Sequence, residues 1–235
     1  MMKVDDFIMK LELARRSKTL YVMGCFGAPL NDTNKKRYTR NHVYNMTPAR
    51  SRMIKAASSD TFGFDCVCLI KSVLWEWDQS TDLVYGGAIY KSNGVPDVSA
   101  DGMIKLCKNV STDFSTIKRG EAVWMSGHIG VYIGDGKVIE CTPKWLNCVQ
   151  YSNLGNIGYT HGNCRYWKKH GFLPWVEYET EQKPHEVAQY YTVKKGDTLT
   201  KIAKTYNVSL SMLMQMNSAI TNPNKIFVGQ KIRVK

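Results

Sequence analysis

Gly127-His128-Ile129-Gly130-Val131-Tyr132-Ile133-Gly134-Asp135-Gly136-Lys137-Val138-Ile139-Glu140 is the stretch that decides the fold of the longer part of this chain. Ile129, Val131 and Ile133 point one way and His128, Gly130 and Tyr132 the other, the period of a strand with two different faces, and 137–142 is a second short, β-branched run. Asp135-Gly136 stands between the runs, and this pair favours the tight turn of a β-hairpin. His128 and Glu140 are twelve residues apart about a turn centred near Gly134. They are therefore expected as opposite or diagonal neighbours on one face, within side-chain reach. Gly130, next to His128 on that face, is expected to leave room for a substrate or a facing helix.

Outward from the hairpin, 122–125 and 149–154 carry the same signature, and 165–176 has room for another strand or two. Towards the N-terminus the pattern becomes helical. Val67, Ile70, Val73, Leu74 and Trp77 recur at helical spacing and predict a helix over 64–77. A first helix is expected after a cap at Asp5 or Asp6, with Phe7, Ile8, Leu11 and Ala14 on one face. Residues 27–62 read as irregular and basic, with a short helix after Thr47-Pro48. Helices first and antiparallel strands after make the class α+β.

Within Phe62-Gly63-Phe64-Asp65-Cys66-Val67-Cys68-Leu69-Ile70, Cys66 falls where the helix begins. The positive end of the helix dipole favours a thiolate there. Asp65 can cap the same helix, and its charge opposes the thiolate, so the sulfur needs a further activator. His128 is the candidate base, and Glu140 is placed to orient the imidazole and stabilise its charged form. Cys68 and Cys141 are expected to be structural, and His161 is the reserve candidate for the third position.

Residues 177–189 are polar, contain Pro184 and lack periodicity, which predicts a linker. The segment 190–235 then reads strand, helix, helix, strand. Tyr191-Thr192-Val193 is the first strand, Asp197 the expected cap of the first helix, Ser209 the cap of the second, and 232–234 the last strand. This tail carries eight Lys and Arg against Asp197 alone, +7 of a net +12 in 235 residues. Such a charge favours anionic partners. No helix-turn-helix, aromatic RNA-binding motif or Cys/His finger directs it to nucleic acid, so no nucleic-acid partner is expected. Seven cysteines, an odd number without a C-x-x-C pair, are expected as free thiols with no metal site. Asp5, Asp6 and Glu12 interrupt the N-terminus, so synthesis without a signal peptide is expected, and no run is long enough to predict membrane insertion.

Two resemblances sharpen this reading. Asp65-Cys66, the Gly-His-x-Gly-x-Tyr-x-Gly strand from Gly127 and the polar residue twelve positions after His128 resemble the NlpC-type cysteine peptidases, papain-like enzymes that cleave cell-wall peptides. The resemblance implies a papain-like helix on an antiparallel sheet over 1–176 and a catalytic set of Cys66, His128 and Glu140. Tyr21, in a segment similar to the family's Y-x-x-G, and Asp65 are implied as substrate or oxyanion partners. Val67 and Cys68 stand where the family has Ser and Gly. Val193, Gly196-Asp197-Thr198-Leu199, Ile202-Ala203, Tyr206, Leu213, Asn217, Asn222-Pro223, Ile226 and Gly229-Gln230 resemble the LysM family over the whole tail. That implies binding of N-acetylglucosamine-containing glycan through Gly196, Asp197, Thr198, Pro223, Asn224, Lys225 and Ile226. The implied whole is a peptidoglycan endopeptidase without a cofactor, expected as a monomer acting at the bacterial wall. A phage endolysin released through a membrane hole is the first setting, a bacterial autolysin the second. An N-acetylmuramoyl-L-alanine amidase with the same three residues, and a non-catalytic wall-binding or phage-tail protein, remain open beside it.

Overall fold

A computed structural model of the chain describes residues 1–178 and 190–235 apart from 207, 218, 219, 221, 224 and 235, and only the backbone of 211, 212 and 215. The chain divides into two compact units, Met1–Tyr178 and Glu179–Lys235. Both mix helix and sheet.

The first unit opens with β1 (Met2–Lys3) and α1 (Val4–Arg16), which buries Val4, Phe7, Ile8, Leu11 and Ala14 on one face. Lys3, not an aspartate, occupies the cap position and makes no side-chain cap; Asp5 and Asp6 lie in the first turn, where their charge suits the helix dipole. A small sheet follows from β2 (Thr19–Tyr21) and β3 (Phe26–Pro29), both paired to β4 (Phe62–Phe64). The basic segment between β3 and β4 is helical: α2 (Asp32–Tyr38), α3 (Val43–Met46) and α4 (Pro48–Ala56), the last with Pro48 in its first turn.

Next comes α5 (Cys66–Leu74), every residue of which is buried. It is shorter than the expected 64–77. Phe62-Gly63-Phe64 is wholly buried strand, and a short apolar run has the same appearance in either structure. After α6 (Ala100–Leu106) and β5 (Lys108–Ser111) come the meander strands β6 (Ala122–Met125), β7 (His128–Gly134), β8 (Lys137–Thr142) and β9 (Cys148–Leu154). Asp135 and Gly136 both take positive φ, as the tight hairpin requires. Then follow β10 (Cys164–Arg165), β11 (Lys169–Phe172) and β12 (Val176–Glu177), which pairs with β1. Among the described residues seven strands form one sheet in the order β10-β9-β8-β7-β6-β11-β5, antiparallel except for β10 with β9.

Ile129, Val131, Ile139 and Cys141 project from one face of this sheet into a core shared with α1 and α5. Tyr132 and Val138 alternate to the other face, against Phe114, Leu154 and Trp167. The core face thus fixes where the start of α5 meets the start of β7.

The second unit pairs β13 (Tyr190–Thr192) antiparallel with β14 (Lys231–Arg233) and packs α7 (Leu199–Thr205) and α8 (Leu210–Met216) on them. Val193, Leu199, Ile202, Ala203, Leu213, Ile220, Ile232 and Val234 are its core. Asn217 ties α8 to β14: its amide donates to the carbonyls of Leu213 and Arg233, and its oxygen accepts from Arg233 N–H.

Leu11 is fully buried where α1 meets the shared core. Leu11→Ala is expected to lower stability by about 3 kcal/mol in urea unfolding, the usual cost of a leucine-sized cavity; a loss under 1 kcal/mol would contradict this packing.

Candidate functional site

Cys66 is the first residue of α5. Asp65 caps that helix, its Oδ1 accepting from Cys68 N–H at 2.7 Å. Its Oδ2 accepts from Gly24 N–H at 2.8 Å, which draws the segment after β2 onto the helix start. Backbone N–H groups of Ile129, Val67 and Cys66 turn to the sulfur. Ile129 follows His128, so the thiol lies at the opening of β7. Burial, and then the Asp65 charge, push the Cys66 thiol up to about 12 despite those N–H groups. The expectation of a favoured resting thiolate is therefore corrected: desolvation outweighs the helix dipole.

On β7 and β8, His128 Nε2 stands 2.6 Å from Glu140 Oε2. The imidazole is stacked on Trp167 with ring centres 5.5 Å apart. Glu140 has no exposed surface. A buried carboxylate needs a partner, and Arg165 supplies one from β10, its Nε 2.8 and 2.7 Å from the two carboxylate oxygens. Arg165 also donates to Thr142 Oγ1 and lies over the Trp145 ring. Burial pushes the Glu140 carboxyl up, but hydrogen bonds and charge from His128 and Arg165 outweigh it and hold the group below its ordinary value.

Gly130 has a different role from the expected one. A Cβ there would come 2.8 Å from Val138 Cγ1, 3.0 Å from Ile139 O and 3.3 Å from Glu140 Cβ. The missing side chain makes room for β8 and its glutamate, not for a substrate or a helix.

Tyr21 and Cys66 line one cleft of about 400 Å³ together with Asp65, Lys71 and Asp97, and the cleft reaches Gly127, one residue before His128. Burial raises the Tyr21 phenol well above its ordinary value, with the nearby Cys66 adding to the effect, so the hydroxyl keeps its proton and can donate. The backbone around it is held from behind. Tyr21 N–H donates to Asn147 O, Arg50 donates to Tyr21 O and to Asn147 Oδ1, and Asn45 bonds both N–H and O of Met23. The basic segment thus delivers α3 and α4 to the back of the cleft. Asp101 Oδ1 accepts from Gly127 N–H and Trp124 Nε1, pinning the turn that leads into His128. Arg165, Arg50, Asn45 and Asp101 were missed by the sequence reading. Each works across a long separation, and none sits in a pattern that marks it. His161 is exposed on a loop, its carbonyl bonded to Asn153, and Cys68 and Cys141 are buried. All seven cysteines are free.

In the second unit, Gly196 takes φ +89°, and space for a Cβ there is open. Thr198, not Asp197, caps α7, accepting from Lys201 N–H. Asp197 instead closes the preceding turn, its Oδ2 accepting from Lys194 N–H and Tyr191 O–H at 2.7 Å each. Pro223 and Ile226 are half-buried, Lys225 is exposed, and Asn224 lies outside the described residues. Because β13 and β14 are antiparallel with Thr192 opposite Lys231, the loop carrying Gly196–Thr198 and the loop before β14 leave the same end of the ladder.

Residues 191–235 match the LysM domain family. The chain is 35% identical over 112 residues to an endolysin of Bacillus phage B103, covering 39% of this chain and 43% of that protein. It is 49% identical over 49 residues to an endolysin of Bacillus phage PZA, covering 21% of this chain and 19% of the relative. It is also 47% identical over 47 residues to the N-acetylmuramoyl-L-alanine amidase XlyA of Bacillus subtilis (strain 168), covering 20% and 16%. The chain spans less than half the length of each of these relatives.

Glu140 titrates lower in the folded chain than in the unfolded one, so it contributes stability above the ordinary carboxylate range, and this is lost as pH falls through the folded value. Urea unfolding followed from pH 7 down to pH 3 is expected to show a shallower acid decline for Glu140→Gln than for the unaltered chain. Equal slopes would mean that the pair with Arg165 and His128 does not hold the carboxylate.

Proposed function

We propose that this chain is a peptidoglycan hydrolase: a cysteine peptidase of the NlpC type over residues 1–178, two residues longer than expected because Glu177 belongs to β12 and Tyr178 bonds to Gly120 and Leu173, joined through 179–189, which lie outside the described residues, to a LysM module over 190–235 that holds it on the wall. The observation that carries the reading is the ring of His128, anchored at Nε2 by a buried glutamate, one residue before Ile129, whose backbone N–H is among those that favour the Cys66 thiolate. Likeness to two phage endolysins supports the same class and a phage or prophage setting.

The chemistry follows from the protonation states. Glu140 accepts from Nε2–H and leaves the Nδ1 lone pair as the base. A thiol held near 12 does not ionise unaided at neutral pH, so the proton passes from sulfur to Nδ1 as the sulfur attacks an amide carbonyl of the stem peptide. The new C–S bond places negative charge on the carbonyl oxygen. Backbone N–H groups at the start of α5 and the Tyr21 hydroxyl are the donors for it. As the oxyanion collapses, the C–N bond breaks and His128 returns the proton to the leaving amine. Water, deprotonated by the same imidazole, then hydrolyses the thioester. No metal or cofactor enters these steps. Asp65 holds the helix start and the segment bearing Tyr21, a positioning role on the substrate side of the cleft.

In the tail, Gly196, Asp197, Thr198, Pro223, Asn224, Lys225 and Ile226 are the proposed contacts to N-acetylglucosamine-containing glycan. A second, tethered contact on the same polymer raises the local concentration of the cleft without adding contacts in it.

Cys66→Ala is expected to abolish release of soluble fragments from purified peptidoglycan while leaving wall sedimentation unchanged, and the chain truncated after Tyr178 should lose most sedimentation. Fragment release that survives Cys66→Ala would remove the peptidase reading. Mass spectrometry of the fragments identifies the bond: a new D-glutamate terminus is expected, whereas a new L-alanine terminus would make the enzyme an amidase. A separate test concerns the base. Peptide-resolved alkylation of Cys66 by iodoacetamide at pH 7 is expected to slow at least tenfold in His128→Ala; an unchanged rate would show that the imidazole does not take the thiol proton.

A further inference from the structure

The net charge of +12 has two sources. The tail supplies +7, and residues 27–62 supply seven Lys and Arg against two Asp, a net +5; the remainder of the chain is neutral. Asp60 is paired with Lys18, and Asp32, the other carboxylate of that segment, makes no ion pair among the described residues. Its helices turn their other faces inward. Asn34 and Tyr38 of α2 and Arg50 and Ile54 of α4 are buried. Lys36, Arg40 and Lys55 are exposed, and Lys35 is half-buried. None of these four makes an ion pair among the described residues.

They converge. Lys35, Lys36, Arg40 and Lys55 line a single groove of about 440 Å³ between α2 and α4, with the hydroxyl residues Thr39 and Ser51 in its wall and Asp32 at one end. Four cations facing the one carboxylate of Asp32 repel one another on balance, so the arrangement favours an anion that neutralises the excess. The lining has no aromatic ring on which a base could stack and no aliphatic or aromatic residue to hold an acyl chain, which disfavours single-stranded nucleic acid and lipid. Four cations and two hydroxyls suit the repeated phosphates of a flexible polyol-phosphate chain.

We propose that the α2–α4 groove is a second wall-binding site, one that takes the phosphodiester polymer attached to the peptidoglycan. The site is distinct from both the cleft at Cys66 and the LysM loops, and it rests on the reading of the chain as a wall hydrolase. Its place in the fold gives it a consequence. The same segment sends Arg50 and Asn45 to the back of the cleft, so the polymer binds on the element that supports Tyr21.

The test compares the full chain with Lys36→Gln/Arg40→Gln/Lys55→Gln on two wall preparations: intact walls and walls stripped of their phosphodiester polymer with hydrofluoric acid. The three residues are exposed, so the thermal melt should be unchanged. The unaltered chain is expected to bind intact walls about tenfold more tightly than stripped ones, and the triple variant to lose that preference while matching the unaltered chain in binding and fragment release on stripped walls. On intact walls the log-log dependence of binding on salt should fall by about two units, roughly 0.7 for each phosphate contact removed. Equal binding of the two proteins to intact walls overturns the site. So does an equal loss on both wall types, or competition by double-stranded DNA as effective, phosphate for phosphate, as purified poly(glycerol phosphate). A chain that binds stripped walls but shows no preference for intact ones sinks this inference alone; a chain that binds neither sinks the wall reading with it.

Discussion

A carboxylate without any contact to water, in the middle of a sheet, is the constraint on which the rest depends. Glu140 can remain charged there only because His128 reaches it from the adjacent strand β7 and Arg165 from β10, beyond β9. Removing one partner of such a buried set costs about 3–5 kcal/mol, because the charge left behind has nothing to replace it. The requirement fixes the register of β7 on β8, the side-chain-free position at Gly130 and the return of the chain to β10. It also leaves the imidazole with one orientation: Nε2 towards the glutamate, and Nδ1 without a hydrogen bond among the described residues.

The thiol is arranged by different forces. Its helix is buried along its whole length and cannot shift without opening the core, so the sulfur stays at the start of β7. That burial keeps the thiol protonated at rest. In the proposed mechanism the buried sulfur loses its proton only as it attacks, and the cleft opens onto it from the side of Tyr21. The segment carrying Tyr21 is itself held by Asp65, Asn45 and Arg50 from three directions. Reactive groups held on rigid elements and backed by buried polar bonds are what precise positioning requires.

Much of this was legible in the residues. The meander read clearly because a two-residue period and Asp135-Gly136 leave little choice of register, and the distance from His128 to Glu140 followed from it. The start of α5 read less well: Phe62-Gly63-Phe64 is apolar whether strand or helix, and only its pairing with Thr19–Tyr21 and Phe26–Pro29 decides. Arg165 was not legible, since its role depends on a two-residue strand joining the far edge of the sheet. Nor were Asn45 and Arg50, which lie in a segment that reads as irregular and basic and gives no sign of which side chains turn inward. In the tail, Asp197 and Thr198 are both good caps by type. The turn at Gly196 engages the aspartate first, so the cap falls to the threonine.

In the proposed mechanism Cys66 becomes covalently acylated by wall peptide with His128 as its base. Acid quenching of the chain within milliseconds of mixing with soluble muropeptide, followed by peptide-resolved mass spectrometry, tests it most directly. An acyl mass is expected on Cys66, on none of the other six cysteines, and absent in His128→Ala. Turnover of the muropeptide with no acyl mass on any cysteine, or with the mass on a different one, would contradict it.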